Sequence, residues 1–372
     1  MLGQQWQPGP GGPVVAGPGA GRRPGRRSLL IGMAAAAVVL LAAGTGVYFG
    51  VVRPDSHSTA ASGVGGHGFA DLAHLDTCSF VTRADFSDMV DDVTDVTVEP
   101  SDFDTCEAQV DHPKGGGTEI DVDFTTRRYD IAALNSSGRS TINPRGALHV
   151  GKPVNSAQDR CDRLVYRDDG VGISVGADSN SLLQQMSHET ISQDVLCRLA
   201  DKGIDIAVAA LTANTAGTVV YPADSFGGAD PCGGLTADDV RAAIGTTVTK
   251  DPAGPAHDCR WMSGDNIVVT VGARLTDNDP MREENSEQVA GRTTYQRASQ
   301  SGTDCTVVTK GRHWDHWLGK YDDPMTKINS AGARTETMVI RATPSQATTT
   351  FVSRCAAANA LAAKVWPTLP KS

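Results

Sequence analysis

The sequence predicts an α+β protein. One transmembrane helix near the N-terminus precedes two tandem disulfide-bonded modules, each an antiparallel sheet with flanking helices. Three observations lead there. An uncharged apolar run spans residues 29–52. Eight cysteines follow it and fall into two sets of four that align with each other. Around matched cysteines, a helical spacing of apolar residues gives way to strand-like alternation in the same order.

The N-terminal region comes first. Residues 1–28 are rich in Gly and Pro, carry too little apolar surface to fold, and read as a disordered cytoplasmic tail. The run at 29–52 is long enough as a helix to cross the ~30 Å hydrocarbon core, so membrane lipid is its expected partner. Arg22, Arg23, Arg26 and Arg27 precede it and only Arg53 follows closely. That asymmetry predicts a single-pass protein of the cell membrane with a cytoplasmic N-terminus and an extracellular C-terminal region. The rival reading is a cleaved twin-arginine-type signal, with Arg26-Arg27 at its start and Ala42-Ala43-Gly44 for cleavage. No cysteine follows the run at a position suited to lipidation. Residues 53–75 read as a flexible linker, with His57 and His67 as solvated residues in it.

The first module is expected over 76–211, a linker over 212–229 and the second module over 230–372. Matched cysteines recur after 154, 153, 144 and 158 residues. Each module opens with a shared pattern, Asp76-x-Cys78-x-x-Val81-Thr82-x-x-Asp85-Phe86 and Asp230-x-Cys232-x-x-Leu235-Thr236-x-x-Asp239-Val240. The T-x-x-D piece starts a helix: the threonine hydroxyl takes orphan amides and the aspartate favours the positive helix end. Phe86, Met89, Val90 and Val93 continue it in the first copy. Val240, Ala243 and Ile244 do so in the second, before Gly245.

The second cysteines precede alternating strands. Ile120, Val122 and Phe124 alternate with Glu119, Asp121 and Asp123; Ile267, Val269 and Val271 alternate with Val268 and Thr270. Cys161 and Cys305 open further strands, and others follow near residues 173–177 and 337–342. Closing helices carry Cys197, Ala200, Ile204, Val208 and Leu211 on one face, and Cys355, Ala358, Ala362 and Val365 on the other copy's face.

Exported paired cysteines oxidise. Four per module allow three pairings, and sequence does not choose among them; sequential pairing, Cys78–Cys106, Cys161–Cys197, Cys232–Cys259 and Cys305–Cys355, is the working expectation. Zinc is a poor rival, because no C-x-x-C occurs and the spacings are wide.

Asp230-Pro231-Cys232-Gly-Gly-Leu235-Thr236, with Cys259-Arg260-Trp261, resembles an actinobacterial cell-envelope domain family of unknown function, often found in lipoproteins. That family opens D-P-C-x-x-L-T and later carries C-x-W. The first copy departs from the pattern with Thr77 for the proline and Ala108 for the tryptophan. The chain is also loosely similar to the extracellular sensor domains of mycobacterial receptor serine/threonine kinases. The resemblance implies an envelope location and a compact α+β fold, and supplies no catalytic residue and no ligand.

Few residues suggest chemistry. Gly172-Ile173-Ser174-Val175-Gly176 fits G-x-S-x-G, but it alternates like a strand, whereas a nucleophile elbow needs a sharp strand-to-helix turn. His313 and His316 flank Asp315 without a third histidine nearby, so no metal is expected there. Trp314, Trp317 and Tyr321 are the candidate ligand-stacking surface, or else core. Glu119, Asp121 and Asp123 read as a solvated acidic face, and Gly115-Gly116-Gly117 as a hairpin loop. From Asp55 onward 28 basic residues face 43 acidic ones, which argues against nucleic acid as a partner.

The expected function is a membrane-anchored, non-catalytic extracytoplasmic binding or sensing protein of the cell envelope. It needs no cofactor, and its partner is an unidentified envelope ligand or protein. The alternatives are an envelope hydrolase using Ser174 or the His313–His316 region, and a structural partner in an envelope assembly.

Overall fold

The computed structural model describes residues 68–87, 95–112, 118–137, 140–153, 159–179, 191–276, 285–298, 304–314, 334–343 and 351–371. In the first module β1 (Leu75–Asp76) and α1 (Ala84–Ser87) lead into β2 (Asp95–Asp102), β3 (Thr105–His112) and β4 (Thr118–Arg128). Then come α2 (Ile131–Ser137), β5 (Ser140–Arg145), β6 (Leu148–Pro153), β7 (Arg160–Arg167), β8 (Val171–Ser179) and α3 (Gln193–Ala213). In the second, β9 (Gly217–Thr218), α4 (Ala237–Ile244) and β10 (Thr249–Lys250) precede β11 (Asp258–Ser263) and β12 (Asn266–Thr276). After these come β13 (Ser286–Val289), β14 (Arg292–Ala298), β15 (Cys305–Trp314), β16 (Arg334–Ala342) and α5 (Phe351–Val365).

Two seven-stranded antiparallel sheets result, in the orders β2-β3-β4-β8-β7-β6-β5 and β10-β11-β12-β16-β15-β14-β13. The two orders are the same once each sheet is numbered from its own first strand. A third, two-stranded sheet pairs β1 with β9, so the segment after α3 returns to the start of the first module.

Period-two patterning explains which face is buried. In β4, Ile120, Val122 and Phe124 are fully buried while Glu119, Asp121 and Asp123 take the other face. Their inner face meets α3, whose Leu196, Leu199, Ala200, Ile204, Ala207 and Leu211 form one helical stripe. In β12 the buried set is Val269, Val271, Ala273 and Leu275, and Ile267 is exposed. α5 covers that sheet with Ala358, Leu361, Ala362 and Val365. Thr236 and Asp239 close a reciprocal capping box at the start of α4, and Gly245, at φ 79°, ends it.

The disulfides Cys78–Cys106 and Cys232–Cys259 fasten each opening segment to β3 and β11. Cys161–Cys197 and Cys305–Cys355 fasten β7 to α3 and β15 to α5. Four such bridges fit an extracellular protein.

Two expectations are corrected. The chain is mostly antiparallel sheet rather than an α+β chain with a transmembrane helix, because several polar stretches that lack an apolar stripe pair as strands at the sheet edges. No helix among the described residues is long and apolar enough to cross a membrane, so the single-pass membrane placement is not carried forward. The residues on which it rested, 29–52, lie outside the described ones, as does the helical continuation Met89–Val93. Residues 68–75, read from sequence as tether, instead fold as two 3-10 turns that bury Phe69 and Leu72. Residues 212–229 likewise supply β9 and the fully buried Phe226.

Candidate functional site

The two modules meet through the two-residue turn between β2 and β3. Its Phe103 is 3 % exposed and belongs to the second module's core, beside Phe226 and Tyr221. The ring stands edge-on to Tyr221 at 5.6 Å and stacks on His257 at 5.0 Å. Gly227 permits this, since a Cβ there would meet Tyr221 at 2.5 Å and Phe103 at 2.7 Å.

The flanking acids complete the joint. Asp104 accepts from the backbone N–H groups of Ala256 (3.2 Å) and His257 (3.0 Å), and from His257 Nδ1 (3.0 Å). Asp102 accepts from Leu275 N at 3.0 Å and lies 3.4 Å from Arg274. Burial pushes its carboxyl up to about 6 against the lowering effect of Arg274. Arg334 reaches Glu99 at 3.0 Å, and the amides of Arg128 and Gly254 exchange two hydrogen bonds of 2.8 Å. The modules therefore share polar and apolar contacts, and residues 54–372 form one compact unit.

Beside this joint both modules wall a cleft of about 560 Å³. Its lining comprises residues 70–73 and Arg128 from the first module, and Asp230, Cys232, residues 250–256 and Asp258 from the second. The acids of the lining are engaged locally. Asp71 contacts His74 and Ala73 N, Asp230 accepts from Cys232 N, Asp251 from Ala253 N, and Asp258 pairs with Arg274. Arg128 and Lys250 are exposed, and the charge of Arg128 also helps hold the Asp169 carboxyl down. The lining thus holds four carboxylates, two of them held by backbone amides, beside the two cations Arg128 and Lys250.

A second charged surface covers the outer face of the first sheet. The register sets Glu107 opposite Asp123, Asp111 opposite Glu119 and Asp121 opposite Asp178. Arg160 is the cation among them, 2.6 Å from Asp162, 2.8 Å from Asp178 and 3.9 Å from Asp123. Asp121 Oδ1 is buried without a hydrogen-bond partner among the described residues. Burial, then the neighbouring carboxylates Glu107 and Glu119, push Asp121 up to about 8. The same causes raise Glu107 to about 7, with Asp123 its first charged neighbour, and Asp123 to about 6, with Asp178 its first. Among the described residues no three His, Cys, Asp or Glu side chains are grouped to hold a metal.

These folded-state values exceed the ordinary 3.8 and 4.5, so the folded protein holds protons that the unfolded chain releases. Stability is therefore expected to fall as pH rises from about 4 to about 8. Asp121→Asn removes one like charge from the face and should flatten that decline. At pH 8 it should raise stability by about 0.5–1 kcal/mol, read as a higher urea midpoint. A variant with the parent's pH profile would remove the acidic face as its source.

Of the residues singled out from sequence, the eight cysteines come together in four pairs, and Trp314, His313 and Ser174 are the ligand or catalytic candidates among the described residues. Trp314, read as a stacking surface, is 8 % exposed; its indole N–H donates to buried Glu336 at 2.8 Å and Arg312 covers its ring at 4.4 Å. Trp314 thus packs in the second module's core, the alternative that its sequence reading left open. Trp317, Tyr321 and His316 lie outside the described residues, as do His57, His67 and Gly115–Gly117. His313 is exposed and its Nδ1 sits 3.0 Å from Thr335 Oγ1. Ser174 stands inside β8, its hydroxyl donating to Thr125 O at 3.4 Å, with no strand-to-helix turn. Sequence reasoning passed over Phe103, Asp104 and His257. The signal available was an aromatic residue between two aspartates, Asp102-Phe103-Asp104.

No protein-family model and no curated protein matches the chain. Among solved structures, the di-domain ARO/CYC StfQ from the steffimycin biosynthetic pathway aligns over 81 % of this chain and 93 % of its own at 10 % identity. Its TM-score is 0.16, a likeness too slight to inform fold or activity.

Proposed function

We propose that this is a non-catalytic extracellular binding protein that takes an envelope ligand in the cleft between its modules, with Arg128 and Lys250 among its contacts. The observation that carries the reading is that cleft. Both modules build it, and Arg128 and Lys250 line it together with four aspartates. Junctions between packed units are common ligand sites, and an arginine offers a carboxylate or phosphate two parallel donors. The four disulfides support the extracellular setting.

The test is retention. The oxidised protein is incubated with fractionated wall polymer, envelope-lipid vesicles and solubilised envelope proteins. One fraction should retain it saturably, and Arg128→Ala with Lys250→Ala should weaken that retention about tenfold or more. Equal retention of the double variant would move the site elsewhere. Turnover of the retained material that disappears in Ser174→Ala would replace binding by hydrolysis.

A further inference from the structure

His257 is 1 % exposed at the joint, and both of its ring nitrogens face oxygen atoms. Nδ1 is 3.0 Å from Asp104 Oδ1 in the first module, and Nε2 is 2.9 Å from the carbonyl of Gly227 in the connecting segment. The carbonyl accepts only, and so does an ionised carboxylate, while a neutral imidazole carries one N–H. A neutral ring beside ionised Asp104 therefore leaves one lone pair pressed against an acceptor, in a place that excludes water. An imidazolium satisfies both contacts at once.

From this geometry we infer that His257 is a buried imidazolium that latches the two modules together, and that deprotonation releases the latch. The groups around it are consistent. Asp104 supplies the counter-charge, and Asp102 in the same turn adds a second carboxylate, partly offset by Arg274. Arg274 also pairs with Asp258, next to His257 in sequence. Tyr221 meets the ring edge-on at 5.9 Å, and burial beside Asp104 keeps its phenol well above the ordinary value, hence neutral. Burial is the largest influence on His257 and opposes its charge, but the hydrogen bond and charge of Asp104, with the Gly227 carbonyl and Asp102, together make the net shift upward from 6.5. The sign follows. A group whose folded pKa is raised stabilises fully below 6.5, and that contribution is lost as pH climbs through the folded value. Alkaline conditions thus loosen the joint. The inference stands independently of what the neighbouring cleft binds.

The deciding experiment is a ¹⁵N-histidine NMR titration of the intact oxidised protein, with His257 assigned by its absence in His257→Asn. The titration midpoint should lie above 6.5, with both ring nitrogens protonated below it. A midpoint at or below 6.5, or a single neutral tautomer throughout, overturns the inference. A second readout follows the amides of Arg128 and Gly254, which bridge the modules. Corrected for intrinsic exchange, their protection should drop about tenfold between pH 7 and pH 9. Unchanged protection overturns the release step. Both readouts are repeated in Asp121→Asn, so that the acidic face does not contribute the pH effect. If His257→Asn fails to fold, assignment proceeds through the backbone of the parent protein, and the titration still decides.

Discussion

Phe103→Ala is expected to destabilise the protein by about 3–5 kcal/mol, although the residue sits in a two-residue turn. Turn residues normally tolerate truncation, because their side chains are solvated. This one is buried in the core of the other module, against Tyr221, His257 and Gly227. Truncation leaves a cavity bounded by two sheets, and neither can collapse into it without breaking the bonds that Asp102 and Asp104 make on either side. Urea unfolding should show a lower midpoint. Amide exchange should report lost protection in β11 and β12 of the second module, not only around the turn itself. Phe103→Leu refills most of the volume and should recover more than half of the loss. If the alanine variant kept the parent midpoint, the modules would not depend on this contact.

Glu336→Ala should cost a similar amount, about 3–5 kcal/mol, for a different reason. Glu336 is fully buried and takes three donors: the hydroxyl of Ser225 (2.6 Å), the amide of Phe226 (2.6 Å) and the indole N–H of Trp314 (2.8 Å). Burial pushes its carboxyl up, and the three donors act against burial. Removing the acceptor leaves each of those donors without a partner, at about 1–3 kcal/mol per group. Glu336→Gln keeps one oxygen but turns an amide NH₂ toward a donor, so it should fall between parent and alanine. Urea unfolding gives the free energies. Tryptophan fluorescence gives the local readout, since Trp314 would lose its anchor while Arg312, held by Asp224, still covers it. An alanine variant within about 1 kcal/mol of the parent would mean that the donors find water instead.

Much of the framework was legible because it obeys short-range rules. The alternation in β4, β8, β12 and β16 marks the central strands, and Thr236, Asp239 and Gly245 write the start and end of α4 in three letters. The edges were not legible. Strands such as Ser140–Arg145 and Ser286–Val289 bury too little for sequence to register, Val289 alone reaching the core in the second. The trace they leave is in their turns. Gly146 at φ 68°, and Ala290 and Gly291 at φ 49° and 81°, make tight reversals between β5 and β6 and between β13 and β14. The joint was opaque for another reason. Phe103 and His257 lie 154 residues apart in sequence, and each in isolation looks like an ordinary loop residue. Trp314 was conspicuous as a composition anomaly, yet its partner Glu336 is on a neighbouring strand and its role is internal. Local pattern locates strands; it carries no information about which module a turn will plug.

The order of the disulfides has a consequence for biogenesis. The eight cysteines are bonded in consecutive pairs along the chain, and no bond spans another cysteine. If the polypeptide enters an oxidising compartment N-terminus first, every newly exposed pair is already the native pair. A general thiol oxidant therefore suffices for maturation, and no bond has to be reshuffled to let the next form. The protein is expected to reach its oxidised state at normal yield in cells that lack a disulfide isomerase, which makes secretion from such hosts a practical route to material.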